Sequence, residues 1–429
     1  MRSEMRALGE FVTLVSGNTP SKDNPAYWGG ATPWVSAKDM ADFWIEDAED
    51  HLTEEGVAVA SRLVPAGTVL LLARGMTLHK RVPICRLAKA STFNQDVKAV
   101  LPKIGLSRRF LPYLLVGNHD RLHERVDSAG HGTGRLNTDA LLSFPVLVPS
   151  AAEQEEIADI GEAIDGRLRL LRQTNATLEF IAQALFKSWF IDFDPVRAKA
   201  EGREPEGMDA ATAALFPSEF EESKLGPIPK GWQPEKLGAI CTNPRTQAKP
   251  NQIPVDTPYI GLEHMPRKSI ALDSAGTAEG LESGKFWFER NDVLFGKLRP
   301  YFHKVGLAPY RGVCSTDILV LRPKTAEWLG FLAMHASAEA LVSYAAQLSN
   351  GARMPRTSWH DVSGFDVILP SQDLAEAFNA MVSSMFERIY VNIGAARVLA
   401  DTRDTLLPRL ISGKLRLPEA RERMGAALA

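Results

Sequence analysis

Residues 150–190, SAAEQEEIADIGEAIDGRLRLLRQTNATLEFIAQALFKSWF, decide the fold of this chain. They open on Ser150-Ala-Ala-Glu153, the spacing at which a hydroxyl and a carboxylate reciprocally cap the first free amides of a helix. Apolar residues then return every seven positions, at Ile157, Ile164, Leu171, Leu178 and Leu185. A second row holds Leu168, Ala182 and Trp189, and Gly161 and Asn175 interrupt it. This is the coiled-coil period, and it predicts one continuous helix over about 151–190. At ~1.5 Å per residue such a helix is roughly 60 Å long, more than one small domain can bury. It needs a partner stripe.

The chain supplies that stripe itself. Residues 371–411, SQDLAEAFNAMVSSMFERIYVNIGAARVLADTRDTLLPRLI, repeat the row as Phe378, Met385, Asn392, Leu399 and Leu406, each 221 positions after its counterpart (378 − 157 = 221, 406 − 185 = 221). They add Leu374, Met381, Ile389 and Leu410. The interval is about half of the 429 residues. A single duplication at half length predicts two similar units about a pseudo-twofold axis, and a target that itself comes in two parts. The segments flanking the helices repeat more faintly. Thr32-Pro-Trp-Val-Ser-Ala-Lys-Asp-Met40 matches Thr257-Pro-Tyr-Ile-Gly-Leu-Glu-His-Met265, Gly67-Thr-Val-Leu-Leu71 matches Asn291-Asp-Val-Leu-Phe295, and Phe144-Pro-Val-Leu-Val-Pro149 matches Phe365-Asp-Val-Ile-Leu-Pro370. Between these anchors the copies diverge, as expected of one scaffold that binds two different things in the same manner.

A hydrophobic content of 45% over this length supports two or three domains with ordinary cores. No apolar run approaches the roughly 18–20 residues of a membrane span. The opening Met1-Arg-Ser-Glu-Met-Arg6 leads into no signal-peptide core, so the cytoplasm is the expected compartment. Cys85, Cys241 and Cys314 stand far apart, which suggests neither a zinc ribbon nor a disulfide framework. The net charge of −3 conceals its distribution: residues 201–224 hold seven acids against Arg203 and Lys224, residues 42–55 are acidic with no Lys or Arg, and residues 56–150 carry thirteen Lys or Arg against five Asp or Glu. A region of local charge +8 (13 − 5) suits phosphates. Short β-type runs such as Thr68-Val-Leu-Leu-Leu-Ala73 and Val97-Lys-Ala-Val-Leu101, with a helix expected near 107–126, give an α+β character to the segment before the first long helix. The stretch from Phe193-Asp-Pro195 through Pro229, rich in Pro, Gly, Ala and acids, reads as an exposed crossover or linker.

Further pieces carry a family resemblance: Leu8-Gly-Glu10 with Ser16-Gly-Asn-Thr-Pro20, Tyr27-Trp-Gly-Gly30, Pro33-Trp-Val35, Phe93-Asn-Gln-Asp96, and Gln183-Ala-Leu-Phe-Lys-Ser-Trp-Phe190 leading into Asp192-Phe-Asp-Pro195. They continue through Leu225-Gly-Pro-Ile-Pro-Lys-Gly-Trp232, Leu294-Phe-Gly-Lys-Leu-Arg-Pro300, Cys314-Ser-Thr-Asp317 and Leu407-Pro-Arg-Leu-Ile-Ser-Gly-Lys-Leu415. In their order and spacing, along nearly its whole length, the chain resembles the specificity subunits of type I restriction-modification systems. The resemblance implies an α+β chain of two tandem, pseudo-twofold-related mixed α/β target recognition domains separated by two long antiparallel coiled-coil helices. The expected limits are 1–149 and 230–370 for the recognition domains, 150–195 for the central helix, 196–229 for the acidic linker, and 371–429 for the second helix and C-terminal tail. It further implies a subunit without catalytic site, metal or cofactor of its own, which reads a bipartite site on double-stranded DNA. Two methyltransferase subunits are the implied partners, and an ATP-dependent restriction-translocase subunit can join them; no membrane is involved.

Two clusters recur in both copies and are the candidate DNA contacts. Arg74 with His79, Lys80 and Arg81 follows the strand expected at 68–73, and Lys297, Arg299, Tyr301, His303 and Lys304 follow its counterpart. Such side chains pair with phosphates, or grip guanine O6 and N7. Gly130-His-Gly-Thr-Gly-Arg135 and Asn350-Gly-Ala-Arg-Met-Pro-Arg356 form the second pair, in which glycines admit a phosphate to the backbone and Arg135, Arg353 or Arg356 brings charge; a plain Gly-rich turn is the equal alternative. Trp34 and Tyr259 occupy matching places in apolar strands, where core packing is favoured over base stacking.

Enzyme motifs fail on inspection. Gly280-Leu-Glu-Ser-Gly-Lys285 is one residue short of a phosphate loop, with Phe286 where Ser or Thr would hold magnesium. His119-Asp-Arg-Leu-His123 lacks the Glu of a zinc helix, which favours a structural histidine pair. Two readings stand at this point: a sequence-reading DNA adaptor, and a coiled-coil protein-assembly scaffold without DNA specificity. The steep salt dependence of DNA binding separates them.

Overall fold

The structure, a computed structural model, describes residues 4–60, 62–129, 132–351 and 353–428. Gly130, His131 and Ala352 of the two Gly-rich candidate loops lie outside the described residues. Two helices of 40 residues each run over Ala151–Phe190 and Gln372–Ile411. The first opens on the expected cap: the Ser150 amide and hydroxyl donate to Glu153 Oε2 at 3.0 and 2.7 Å, and the Glu153 amide returns to Ser150 Oγ at 3.4 Å. Of the heptad row, Ile157, Ile164, Leu171, Phe378, Leu399 and Leu406 are buried. The chain divides into two compact units, residues 1–169 with 398–429 and residues 170–397, so the boundaries fall inside both long helices rather than at their ends.

In the first unit, a five-stranded sheet takes the order Val12–Ser16, Val97–Pro102, Val69–Leu72, Ile84–Leu87 and Trp44–Ile45. It is antiparallel except for its last pair. Trp28–Val35 pairs in parallel with Thr92–Phe93, and Met5–Ala7 pairs with Pro145–Leu147. The core these sheets share takes in Tyr113 and Ile157, and also Leu407 and Ile411 from the last turn of the second long helix. Gly161 breaks the heptad row for a packing reason: a Cβ there would lie 2.4–2.6 Å from the Tyr113 ring carbons. One turn further on, buried Asp165 meets Arg403 at 2.9 Å. Burial pushes the Asp165 carboxyl above the usual carboxylate range despite that guanidinium.

The second unit repeats the plan. Its four-stranded sheet, Cys241–Thr242, Ile318–Pro323, Val293–Gly296 and Val305–Leu307, follows the order of the first four strands of the five-stranded sheet. Pro258–Ile260 pairs in parallel with Gly312–Cys314, as Trp28–Val35 does with Thr92–Phe93. Gln233–Lys236 pairs with Asp366–Leu369, as Met5–Ala7 does with Pro145–Leu147. The helix ends are riveted by aromatics: the Phe190 ring stands perpendicular to Phe378 at 5.0 Å, and Phe186, Trp189, Phe331 and Trp232 close around them. Each such ring contributes about 1.5–3 kcal/mol by burial. Within this unit the helices run antiparallel, since Asn175 Oδ1 accepts from Asn392 Nδ2 at 2.8 Å while Phe186 meets Phe378. Both amides are buried, so the two interruptions of the apolar rows satisfy each other.

The stretch expected to be an exposed linker, 196–229, is instead anchored. It forms the end of a helix over Asp194–Ala200, a second helix over Ala210–Ala214 and a hairpin of Phe220–Ser223 with Gly226–Pro229. Val196 and Phe216 are buried in the core of the second unit, and Ile228 is buried as well. Acidic composition hid three apolar anchors spaced widely enough to pin the backbone between them. The C-terminal tail likewise ends in a helix, Leu417–Leu428, whose Arg421 pairs with Glu156 at 3.0 Å. Among the described residues no helix is long and apolar enough to cross a membrane.

Candidate nucleic-acid interface

In the first unit the buried strand Val69–Leu72 leaves the sheet where the amides of Ala73 and Arg74 both donate to Asp96 O, at 2.8 and 3.3 Å. A short strand, Arg74–Gly75, then pairs with Thr133–Leu136 and places Arg74 opposite Arg135. Two basic stretches sixty-one residues apart in sequence (135 − 74) thus become one edge. His79 tightens the join, with Nε2 2.7 Å from Gly132 O. Gly134 is needed for close approach, since a Cβ there would come 2.7 Å from Leu78 Cβ. Arg74, Lys80 and Arg135 are exposed, and among the described residues none has an acidic partner. Arg81 is exposed as well, but its Nη2 donates to the carbonyls of Met40 and Ala41 at 2.9 and 2.8 Å. Lys98, absent from the sequence-derived candidates, donates to Ser16 Oγ at 2.6 Å. Burial, with Arg74 adding, holds its ammonium below the usual lysine range against the opposing pull of Asp96.

The second unit builds the same edge from different residues. The Lys297 amide donates to Asp317 O at 2.8 Å, the Thr357 amide to Lys297 O at 3.1 Å, and the Arg299 amide to Pro355 O at 2.7 Å. The Leu136 amide bonds Ala73 O at 2.9 Å in the same way. Superimposing the ladders equates Ala73 with Lys297, Arg74 with Leu298, Gly75 with Arg299, and Arg135 with Arg356. Arg356 Nε lies 3.1 Å from Asp317 Oδ1. Burial holds Lys297 below the usual lysine range, and Arg245 and Arg356 press it further while Asp317 opposes them. A cleft of about 190 Å³ beside it is lined by Asn243, Arg245, Phe286, Lys297, Thr357 and Trp359 among others. A second, of about 270 Å³, is lined by Leu262, Glu263, Leu298, Arg299, Phe302, Lys304 and Met354.

The remaining candidates of this unit divide by what their heads touch. Arg353 and Tyr301 are exposed, the Tyr301 ring standing against Phe302 at 4.9 Å. His303 is buried, with Nε2 2.8 Å from Ser337 O and Nδ1 3.3 Å from a Glu339 carboxylate oxygen. Lys304 is half-buried and its Nζ donates to Leu262 O; burial, with Arg267 adding, holds it below the lysine range. Arg299 takes a left-handed backbone, φ 51°, which for a non-glycine residue costs about 1–2 kcal/mol. Its Nη2 donates to Arg353 O at 3.3 Å, and its Nε is buried without a partner among the described residues. Arg267 lies 4.4 Å over the Phe302 ring. Neither Arg245 nor Arg267 was legible as a site residue, since Arg245 stands alone in its loop, Arg267 has only Lys268 beside it, and only folding brings them to the cluster.

The other sequence candidates take structural places. His119 Nε2 accepts from the Val82 amide at 3.1 Å, His123 Nε2 sits 2.9 Å from Leu78 O, and the rings stack at 6.2 Å. No group of three or more metal-ligating side chains converges among the described residues. Lys285 closes its own turn on Ser283 O and Oγ at 2.8 and 2.6 Å. Trp34 is 4% exposed, its Nε1 bonded to Asn18 O, and so packs as core.

Compared with known proteins, residues 2–180 match the family model described as the type I restriction modification DNA specificity domain. The specificity subunit of the type I restriction enzyme MjaIX of Methanocaldococcus jannaschii is 26% identical over 432 aligned positions, covering 97% of this chain and 94% of the relative. That of the HindI enzyme of Haemophilus influenzae is 26% identical over 76% of this chain and 80% of its own. That of EcoR124I/EcoR124II of Escherichia coli is 30% identical over 38% of this chain and 41% of its own. Among solved structures, the type I restriction-modification S subunit from M. genitalium aligns over 95% of each chain, at 14% identity and a TM-score of 0.46.

Proposed function

We propose that this chain is a member of the family of type I restriction specificity subunits to which it is similar, and that it reads a bipartite target on double-stranded DNA and presents it to methyltransferase subunits bound to the same chain. The observation that carries the reading is the repeated edge: in each unit a buried strand delivers its following residues to a ladder that ends in an exposed arginine, Arg135 in one and Arg356 in the other. Cations displayed at matching places on a duplicated scaffold suit a polyanion with two half-sites, and the divergence around them suits two different half-sites. Arg74, Lys80 and Arg135 are the phosphate-contacting set of the first unit, and Lys297, Arg353 and Arg356 that of the second. Arg81, His303 and Lys304 hold the edge in shape through backbone carbonyls. Chemistry on the DNA belongs to the partners, a methyltransferase pair and, where present, an ATP-dependent restriction subunit. Methylation maps from cells that carry the chain with its methyltransferase, against cells lacking only this chain, test the reading. A two-part motif with a fixed spacer that vanishes on deletion is the expected result; unchanged methylation would refute it.

A further inference from the structure

The proposed DNA reading leaves open which side chain reads bases, and the backbone of the second unit marks one. At the turn where each strand leaves its sheet, the first unit has a glycine, Gly75, close to extended at φ 156° and ψ 165°, and its ladder equivalent Arg299 stands in the left-handed region at φ 51° and ψ 62°. Glycine takes either conformation freely, whereas arginine is held in the left-handed region against its preference. A Cβ on Gly75 would press on Leu72 Cδ2 at 3.3 Å, the far end of a flexible side chain that can give way, and would meet no backbone atom within 4 Å. The fold therefore tolerates glycine here, and the arginine is retained for its side chain. We propose that Arg299 is the base-reading residue of the second unit, directing its guanidinium to a guanine edge of one half-site; this rests on the DNA reading above.

Immobilisation of the head supports a base over a phosphate. Pro300 follows Arg299 directly, Arg353 O accepts from Nη2 at 3.3 Å, and the guanidinium carbon lies 5.9 Å from the Phe302 ring centre. Nε is buried, so the terminal fork is the part left to present, and Nη1 makes no hydrogen bond among the described residues. Phosphate contact asks only for a mobile cation, which the exposed Arg353 already provides on the adjoining loop. A fork fixed in direction is what bidentate recognition of guanine O6 and N7 requires. The cleft it borders, about 270 Å³ with Glu263 and Lys304 on its walls, gives the base edge room to approach.

The test selects sequences from a randomised double-stranded DNA library with the full chain in complex with its methyltransferase subunits, comparing wild type, Arg299→Lys and Arg299→Gly. Lysine keeps the charge without the fork, and glycine reproduces the first unit and relieves the backbone, so Arg299→Gly should melt no lower than wild type. Both variants should lose roughly 5- to 150-fold of the preference at one guanine of one half-site. The other half-site should keep its sequence. Retention of the full motif by Arg299→Lys overturns the proposal, because charge alone would then suffice, as would equal loss in both half-sites. A wild-type complex that selects no bipartite motif overturns the DNA reading itself, and this proposal with it.

Discussion

Neutralising the proposed phosphate-contacting set of the first unit, Arg74→Gln, Lys80→Gln and Arg135→Gln together, should change how DNA binding responds to salt. Each phosphate contact contributes about 0.9 to the slope of log affinity against log salt. If all three meet phosphates, the triple variant loses about 2.7 units of slope (3 × 0.9). Between about 50 and 200 mM salt, a fourfold change, wild type should then weaken roughly 40-fold more than the variant, since 4 raised to 2.7 is about 42. The assay is a fluorescence-anisotropy titration of a duplex carrying the target at four or five salt concentrations. Arg81→Gln and Lys304→Gln are the controls, because their heads already donate to backbone carbonyls. They should lower melting temperature and leave the slope nearly unchanged. A slope in the triple variant equal to wild type, or control variants that flatten it as much, would refute the reasoning.

Three further predictions rest on the packing. Arg403→Leu strands Asp165 and should cost about 3–5 kcal/mol, whereas Asp165→Leu with Arg403→Leu should recover most of it in urea unfolding. Gly161→Ala should destabilise by about 1–3 kcal/mol through the Tyr113 ring, yet Gly166→Ala on the same helix, with no neighbour within 4 Å, should stabilise by up to about 1 kcal/mol. Calorimetry of the two variants would show shifts of opposite sign. Burial holds the His335 imidazole down at about 3 against 6.5 when free, so the unfolded chain binds a proton the folded one refuses. Its contribution is therefore intact above about pH 6.5 and shrinks as pH falls, by about 2 kcal/mol at pH 5, and His335→Leu should flatten that part of the stability–pH curve.

The sequence made the helices legible because their signal is local and periodic: Ser150 and Glu153 cap as spaced, and Ile157, Ile164 and Leu171 of the row are buried. The interruptions were visible but their causes were not. Gly161 answers to Tyr113, and Asn175 to Asn392, 217 positions away (392 − 175). The same limit governs the site. Arg74 and Arg135 both looked basic and exposed, but only the ladder shows that they face each other. Arg81 and Lys304 looked identical to them, since sequence does not reveal whether a charged head meets water or a carbonyl. Acidic composition misdirected the reading of 196–229, where Phe216 and Ile228 count for more than the surrounding glutamates.

The first unit is assembled from two separate stretches, 1–169 and 398–429, whereas the second is one continuous stretch, 170–397. A ribosome that has finished residue 169 must add a further 229 residues before reaching 398 (398 − 169), about 10 to 45 s at 5–20 residues per second. During that interval the second unit can close, while the first lacks Leu407 and Ile411, the latter so tightly seated that a Cβ on Gly117 would come 2.8 Å from it. The order of synthesis thus makes residues 398–429 fold after the second unit and leaves the earlier-made unit to be sealed after the later one. A chain released a few dozen residues early would carry a finished second unit beside a first unit with its apolar floor open to chaperones and proteases.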